Sequence, residues 1–246
     1  MEVQIESWGQ GPPLVLLYGS PAPRSHFQPL VNKLAADFAV HVVDLPGHGN
    51  CPKTDVDYTM DESLDAMELA LRDMAGATVV GFSSGGYRAL ALAARAEVEL
   101  GSVVVLGGMA SLTPQERTAY GGFIELVESG ADLTNMVVER FLSPVYQQNE
   151  EALAEIDRWL AGSRVSLVRE LRALRTSEDL RASLQRIRCP IVARTGTADQ
   201  AVPLTHAEEL VALTSGTLEA VPGAGHMLLL ENFEGTLASV RRATGF

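Results

Sequence analysis

Thr78-Val79-Val80-Gly81-Phe82-Ser83-Ser84-Gly85-Gly86 is the stretch from which the rest of the chain is best read. Thr78 to Phe82 is a short apolar run of the kind that forms a buried strand, and Gly85 to Ala96, rich in Ala and Leu, has the composition of a helix. Between them stands Gly-x-Ser-x-Gly. A serine on so tight a strand-to-helix turn takes a strained backbone, and Gly81 and Gly85 remove the Cβ atoms that would collide across it. The Ser83 hydroxyl is thereby held out at the carboxyl end of a strand, beside a helix N-terminus whose free N–H groups favour developing negative charge. Ser83 is the candidate nucleophile.

Working outward, Leu14 to Tyr18, Val40 to Asp44, Val103 to Leu106, Ile191 to Thr195 and Leu218 to Val221 are further short apolar runs. Continuous runs of this kind mark parallel strands covered on both faces. Amphipathic stretches separate them, among them Thr59 to Met74, opened by the capping-box pattern Thr59-Met60-Asp61-Glu62. The alternation predicts an α/β fold, a mostly parallel central sheet with helices on both faces. It lapses after Gly107-Gly108. From there the pattern is helical through Phe123, Ile124 and Val127, Met136 to Leu142, and Trp159 to Leu174. The expected organisation is a sheet core over residues 1–110, an inserted helical cap over 111–184, and the remainder of the core over 185–246. Arg158, Arg164, Arg169, Arg172 and Arg175 in the cap are expected to form a solvated face paired with Glu155 and Glu170.

A serine hydroxyl is a weak nucleophile unless a base takes its proton. Of the five histidines, His26, His41, His48 and His206 fall in an early helix, a strand, a Gly-rich loop and a late helix. His226, in Val221-Pro222-Gly223-Ala224-Gly225-His226, follows both the Ser83 turn and the last strand, at the edge where parallel sheets gather reactive groups. The imidazole needs a carboxylate to fix its tautomer. Asp199 fits, directly beyond the strand at Ile191 to Thr195. The position after the preceding strand offers only Gly107-Gly108-Met109, and Glu231 follows His226 too closely to stand on its own strand end.

Taken together, Leu16-Leu17-Tyr18-Gly19-Ser20-Pro21, Asp44-Leu45-Pro46-Gly47-His48-Gly49, Gly81-Phe82-Ser83-Ser84-Gly85 and the loops Gly196-Thr197-Ala198-Asp199 and Gly223-Ala224-Gly225-His226 resemble the α/β-hydrolase superfamily over essentially the whole chain, in its order Ser, acid, His. The resemblance implies an oxyanion hole from the backbone N–H groups of Ser20 and Ser84. It departs from the family at Tyr18, where His usually precedes the glycine. A serine at position 83 argues against the haloalkane dehalogenase and epoxide hydrolase branches, which use Asp there. The cap strings Gly122-Phe123-Ile124-Glu125 and Val138-Glu139-Arg140-Phe141 are similar to the 3-oxoadipate enol-lactonase group, which implies a small ester or lactone as substrate. Tyr18, Phe82, Met109, Phe123 and Met227 are the candidates to line its pocket, the alternative readings being packing, the favoured one, for Tyr18 and ordinary core for the other four. The same triad in related proteins serves carbon–carbon bond hydrolases and lyases, and some relatives are hormone receptors with slow turnover.

The formal charge of −12 repels phosphate backbones and anionic lipid surfaces, so neither nucleic acid nor membrane is an expected partner. The start of the chain lacks a basic, then apolar, leader, and a cytoplasmic location is expected. Cys51 and Cys189 lie far apart without metal-ligand spacing, which predicts reduced thiols. No metal, nucleotide or flavin motif is present, and no cofactor is expected.

Overall fold

The apolar runs become neighbouring strands because each is covered on both sides. In the computed structural model, which describes residues 2–52 and 56–245, β2 (Pro13–Leu17), β4 (Ala77–Phe82) and β5 (Leu100–Leu106) are buried along almost their full length. With β1 (Gln4–Trp8), β3 (Ala39–Asp44), β6 (Ile191–Gly196) and β7 (Thr217–Val221) they form one sheet in the order β1-β3-β2-β4-β5-β6-β7. Every pairing is parallel except that of β1 with β3. β1 was not legible as a strand: Gln4-Ile5-Glu6-Ser7-Trp8 is half polar because it lies at the edge, where burial is incomplete. The chain-end boundaries expected at residues 1 and 246 lie outside the described residues.

α1 (Gln28–Leu34), α2 (Met60–Leu71), α3 (Ser84–Arg95), α8 (Leu204–Thr214), α9 (Leu228–Glu231) and α10 (Phe233–Thr244) belong to the sheet core. The capping box opening α2 is present in both directions: Thr59 N–H donates to Glu62 Oε2 at 2.7 Å, and Glu62 N–H to Thr59 Oγ1 at 3.1 Å. Between β5 and β6 the chain inserts α4 (Pro114–Glu128), α5 (Thr134–Phe141), α6 (Glu150–Leu160) and α7 (Arg164–Arg175). The helical run expected from Trp159 to Leu174 is broken at Gly162-Ser163, where Ser163 caps α7 by accepting from Ser166 N–H.

The expected solvated arginine face is only partly found. Arg172 pairs with Asp57 and Glu128, Arg169 with Asp57, and Arg158 with Glu155. Glu170 instead points inward, 1% exposed, and pairs with the fully buried Arg88 of α3. A buried carboxylate needs a buried cation, and its own helix places its arginines on the outer side.

In strand order, β2 runs outward to β3 on one side and the chain then returns to place β4 on the other. This switch leaves the carboxyl ends of β2 and β4 splayed above a crevice, the position where open α/β sheets hold ligands. Ser20 and Ser83 stand just past those two ends.

Candidate active site

Ser83 sits between β4 and α3 with φ 54° and ψ −121°, a conformation that costs free energy and persists only because its surroundings enforce it. The enforcement is steric. A Cβ on Gly81 would lie 2.3 Å from the Gly85 carbonyl oxygen, and one on Gly85 would lie 2.0 Å from that of Leu17.

The loops after β6 and β7 are held together before their side chains meet. Thr197 N–H donates to the Val221 carbonyl at 3.0 Å, Ala198 N–H to that of Ala224 at 2.9 Å, and Gly223 N–H to Thr197 Oγ1 at 2.9 Å. That alignment brings Asp199 Oδ2 to 2.7 Å from His226 Nδ1, with both side chains fully buried. Asp199 Oδ1 accepts from Ala201 and Val202 N–H, both at 2.8 Å, which fixes the carboxylate plane. An ionised Asp199 assigns the imidazole proton to Nδ1 and leaves the Nε2 lone pair outward. His226 Nε2 is buried with no hydrogen-bond partner in this structure, the Ser83 hydroxyl included. The ring lies between Phe82 and Phe141, each with its centroid 4.8 Å away. The cap also grips this loop: the Phe141 carbonyl accepts from His226 N–H at 2.8 Å and Met227 N–H at 3.3 Å. Glu231 bridges Ser143 N–H and Gly225 N–H at 3.0 and 2.8 Å, a structural part for the acid that sequence spacing ranked below Asp199.

A cavity of about 380 Å³ opens over Ser83 between core and cap, within the size range of small-molecule sites. Of the residues named for the pocket, Met109 and Phe123 line it, together with Ser20 and Ser83, and Tyr18, Phe82 and Met227 do not. Phe82 packs against His226 and His26, and Met227 is completely enclosed. Tyr18 turns away from the cavity, accepting from Leu45 N–H at 3.0 Å and donating to Asp44 Oδ1 at 3.3 Å. Burial first, then the Asp44 charge, raises its pKa well above the usual value, so it stays a neutral donor. Tyr in place of His thus ties the loop after β2 to the loop after β3.

The cavity wall also carries Arg140 and a contact missed in the sequence, between His206 Nε2 on α8 and Glu116 Oε1 on α4 at 2.6 Å. Burial works to raise the Glu116 pKa, but the Thr113 N–H and His206 outweigh it and hold it below the ordinary value. The unrecognised Glu170–Arg88 pair had one sequence signal: Arg88 interrupts the apolar run Tyr87 to Ala94, where a charge has to be buried.

With this geometry established, residues 14–238 match the model of a family described as Alpha/beta hydrolase family. The chain belongs to that family. It is 30% identical over 94% of both chains to a pimeloyl-[acyl-carrier protein] methyl ester esterase of Chromobacterium violaceum, and 29% identical over 82% of this chain and 83% of the relative to the protein of that name in Aeromonas salmonicida. Among solved structures, the enol-lactonase from Burkholderia xenovorans superposes with a TM-score of 0.86 at 23% identity, covering 99% of this chain and 96% of that one. The esterase from Exiguobacterium antarcticum superposes with a TM-score of 0.87 at 22% identity, covering 99% and 94%. At such identity the structural likeness is one of fold. No described helix of this family member is long and apolar enough to cross a membrane.

Proposed function

We propose that this protein is a serine hydrolase that cleaves a small carboxylic ester or lactone through an acyl-enzyme on Ser83. The observation that carries the reading is the buried Asp199–His226 pair at 2.7 Å, whose free Nε2 lies at the carboxyl edge of the sheet with Ser83. His226 takes the Ser83 proton as the oxygen attacks the carbonyl carbon. Asp199 holds the imidazole in the required tautomer and stabilises the imidazolium. The N–H groups of Ser20 and Ser84 receive the oxyanion, each such donor contributing about 3 kcal/mol in the transition state. His226 then returns its proton to the leaving alcohol, and water attacks the acyl-enzyme by the same route reversed. Residues 111–184 act as the cap that excludes bulk water, and the apolar wall around Met109 and Phe123 takes the acyl chain. The curated relatives named as methyl ester esterases support an ester as substrate.

The test is hydrolysis of p-nitrophenyl acetate and butyrate by wild type and Ser83→Ala, together with mass-spectrometric mapping of a fluorophosphonate adduct. Turnover by wild type, an adduct on Ser83, and a loss in the variant on the order of 10⁵-fold are expected. Absence of both turnover and adduct in wild type overturns the reading.

A further inference from the structure

Beside the Asp199–His226 pair lies a second buried charged cluster, and it converges on the residue that follows the nucleophile. Ser84 Oγ donates to Glu170 Oε1 at 3.0 Å and accepts from Arg88 Nη1 at 3.3 Å and from the Ser20 backbone N–H at 3.2 Å. A hydroxyl has one proton and two lone pairs, so these three contacts use it fully. Arg88 Nη1 also donates to Glu170 Oε1 at 3.1 Å, and His48 Nε2 stands 3.6 Å from the second carboxylate oxygen. Burial works to raise the Glu170 pKa, but the Arg88 charge and the contacts around it hold it below the ordinary value. Stability alone accounts poorly for such a pair, since well-packed apolar side chains in place of a buried ion pair are often as stable or more so.

We propose that Glu170, carried by the cap helix α7, is a positioning residue for the oxyanion hole and acts through the Ser84 hydroxyl. This rests on the hydrolase reading above. By accepting the hydroxyl hydrogen bond, the carboxylate turns a lone pair of Ser84 Oγ toward the Ser20 N–H. The loop bearing Ser20 is thereby held against the Ser83 turn, at the spacing that lets the two backbone donors converge. The fit there is close: a Cβ on Gly19 would lie 2.5 Å from Ser83 Cβ, so a small displacement of the loop reaches the reacting centre. At 3.2 Å the Ser20 bond is at the long end of its range, and the N–H passes readily to an oxyanion, the stronger acceptor. Seating of the cap and assembly of the hole are in this way one event.

The experiment compares kcat and KM for p-nitrophenyl butyrate in wild type, Ser84→Ala, Glu170→Gln and the double variant, with thermal unfolding of each and fluorophosphonate labelling of Ser83 in wild type. Both single variants are expected to lose about tenfold in kcat with KM within about twofold, because the oxyanion exists only in the transition state. In the Ser84→Ala background, Glu170→Gln is expected to cost nothing more, which a merely structural role would not produce. Full kcat in a folded Ser84→Ala overturns the inference, as do independent losses that multiply in the double variant; both leave the hydrolase reading intact if wild type labels and turns over. Wild type without label or turnover overturns both. Should Glu170→Gln fail to fold, an unchanged kcat in Ser84→Ala alone overturns the proposal, while a tenfold loss there, with Glu170→Asp retaining more activity than Glu170→Ala, supports it.

Discussion

On the sheet side of the cavity, Asp199 and His226 come from neighbouring loops whose backbones are hydrogen-bonded before the side chains meet. On the cap side, Glu170 reaches Arg88 and Ser84 across 82 and 86 positions of sequence, and side chains make every link. The first arrangement is fixed by backbone contacts between the loops after β6 and β7, with one further backbone contact from Phe141 of the insertion. The second exists only while α7 is docked on α3. The Asp199–His226 pair thus rests on contacts between neighbouring loops, and the Glu170 cluster on side chains that an inserted helix brings to α3.

The largest effect that tests this contrast is expected on the sheet side. Asp199→Asn keeps an acceptor for Ala201 and Val202 N–H but presents an amide to His226 Nδ1, which favours the wrong tautomer. A loss in kcat of about 10⁴-fold with an unchanged melting temperature is expected, and a loss below about tenfold would place the orienting carboxylate elsewhere. Next in size is Trp159→Ala in α6. Its indole N–H donates to Glu155 Oε1 at 2.9 Å and its ring meets those of His26, Phe82 and Phe141. Truncation of so buried a ring costs about 4 kcal/mol, a fall of roughly 10 °C in the melting temperature of a chain this long. A cap that melts in a separate, earlier transition would sharpen the division between the two sides.

The smallest effect is one of pH. Burial lowers the His26 pKa against the opposing hydrogen bond to Glu155, whose own carboxyl is drawn down to about 2, first by His26. The native state thus keeps His26 neutral, while the unfolded chain takes up a proton below the ordinary histidine value of 6.5. Stability falls as pH drops through that value, by at most about 1.4 kcal/mol per pH unit for one group. The Glu155 contribution is lost only at lower pH, from the ordinary glutamate value of 4.5 downward. His26→Gln is therefore expected to flatten the change in melting temperature between pH 7.5 and 5.5, and an unchanged slope would show that His26 does not set it.

Legibility in the sequence followed the same contrast. The strands of the sheet, the turn at Ser83 and the loops of Asp199 and His226 were readable because each has a local signature: an apolar run, paired glycines, a polar residue just past a strand end. β1 was missed because an edge strand need not be apolar. In the cap the helices were readable and their partners were not, since nothing within α7 distinguishes Glu170 from a surface carboxylate. Its cation stands on α3, and only the out-of-place Arg88 hints at it. Tyr18 and Phe82 lie beside Ser20 and Ser83 in sequence, yet point away from the cavity. Adjacent residues of an extended chain face opposite ways, which turns Phe82 from the side of Ser83, while Tyr18 is drawn off by its bonds to Asp44 and Leu45.

The Phe141 carbonyl that accepts from both His226 and Met227 N–H has a consequence for how the entrance can vary. With Glu231 clasping Ser143 and Gly225, it rivets one corner of the insertion to the loop bearing His226. Lengthening, shortening or tilting the helices elsewhere in the insertion can reshape the mouth of the cavity while that corner stays put. The entrance can thus change shape without shifting His226 against Asp199.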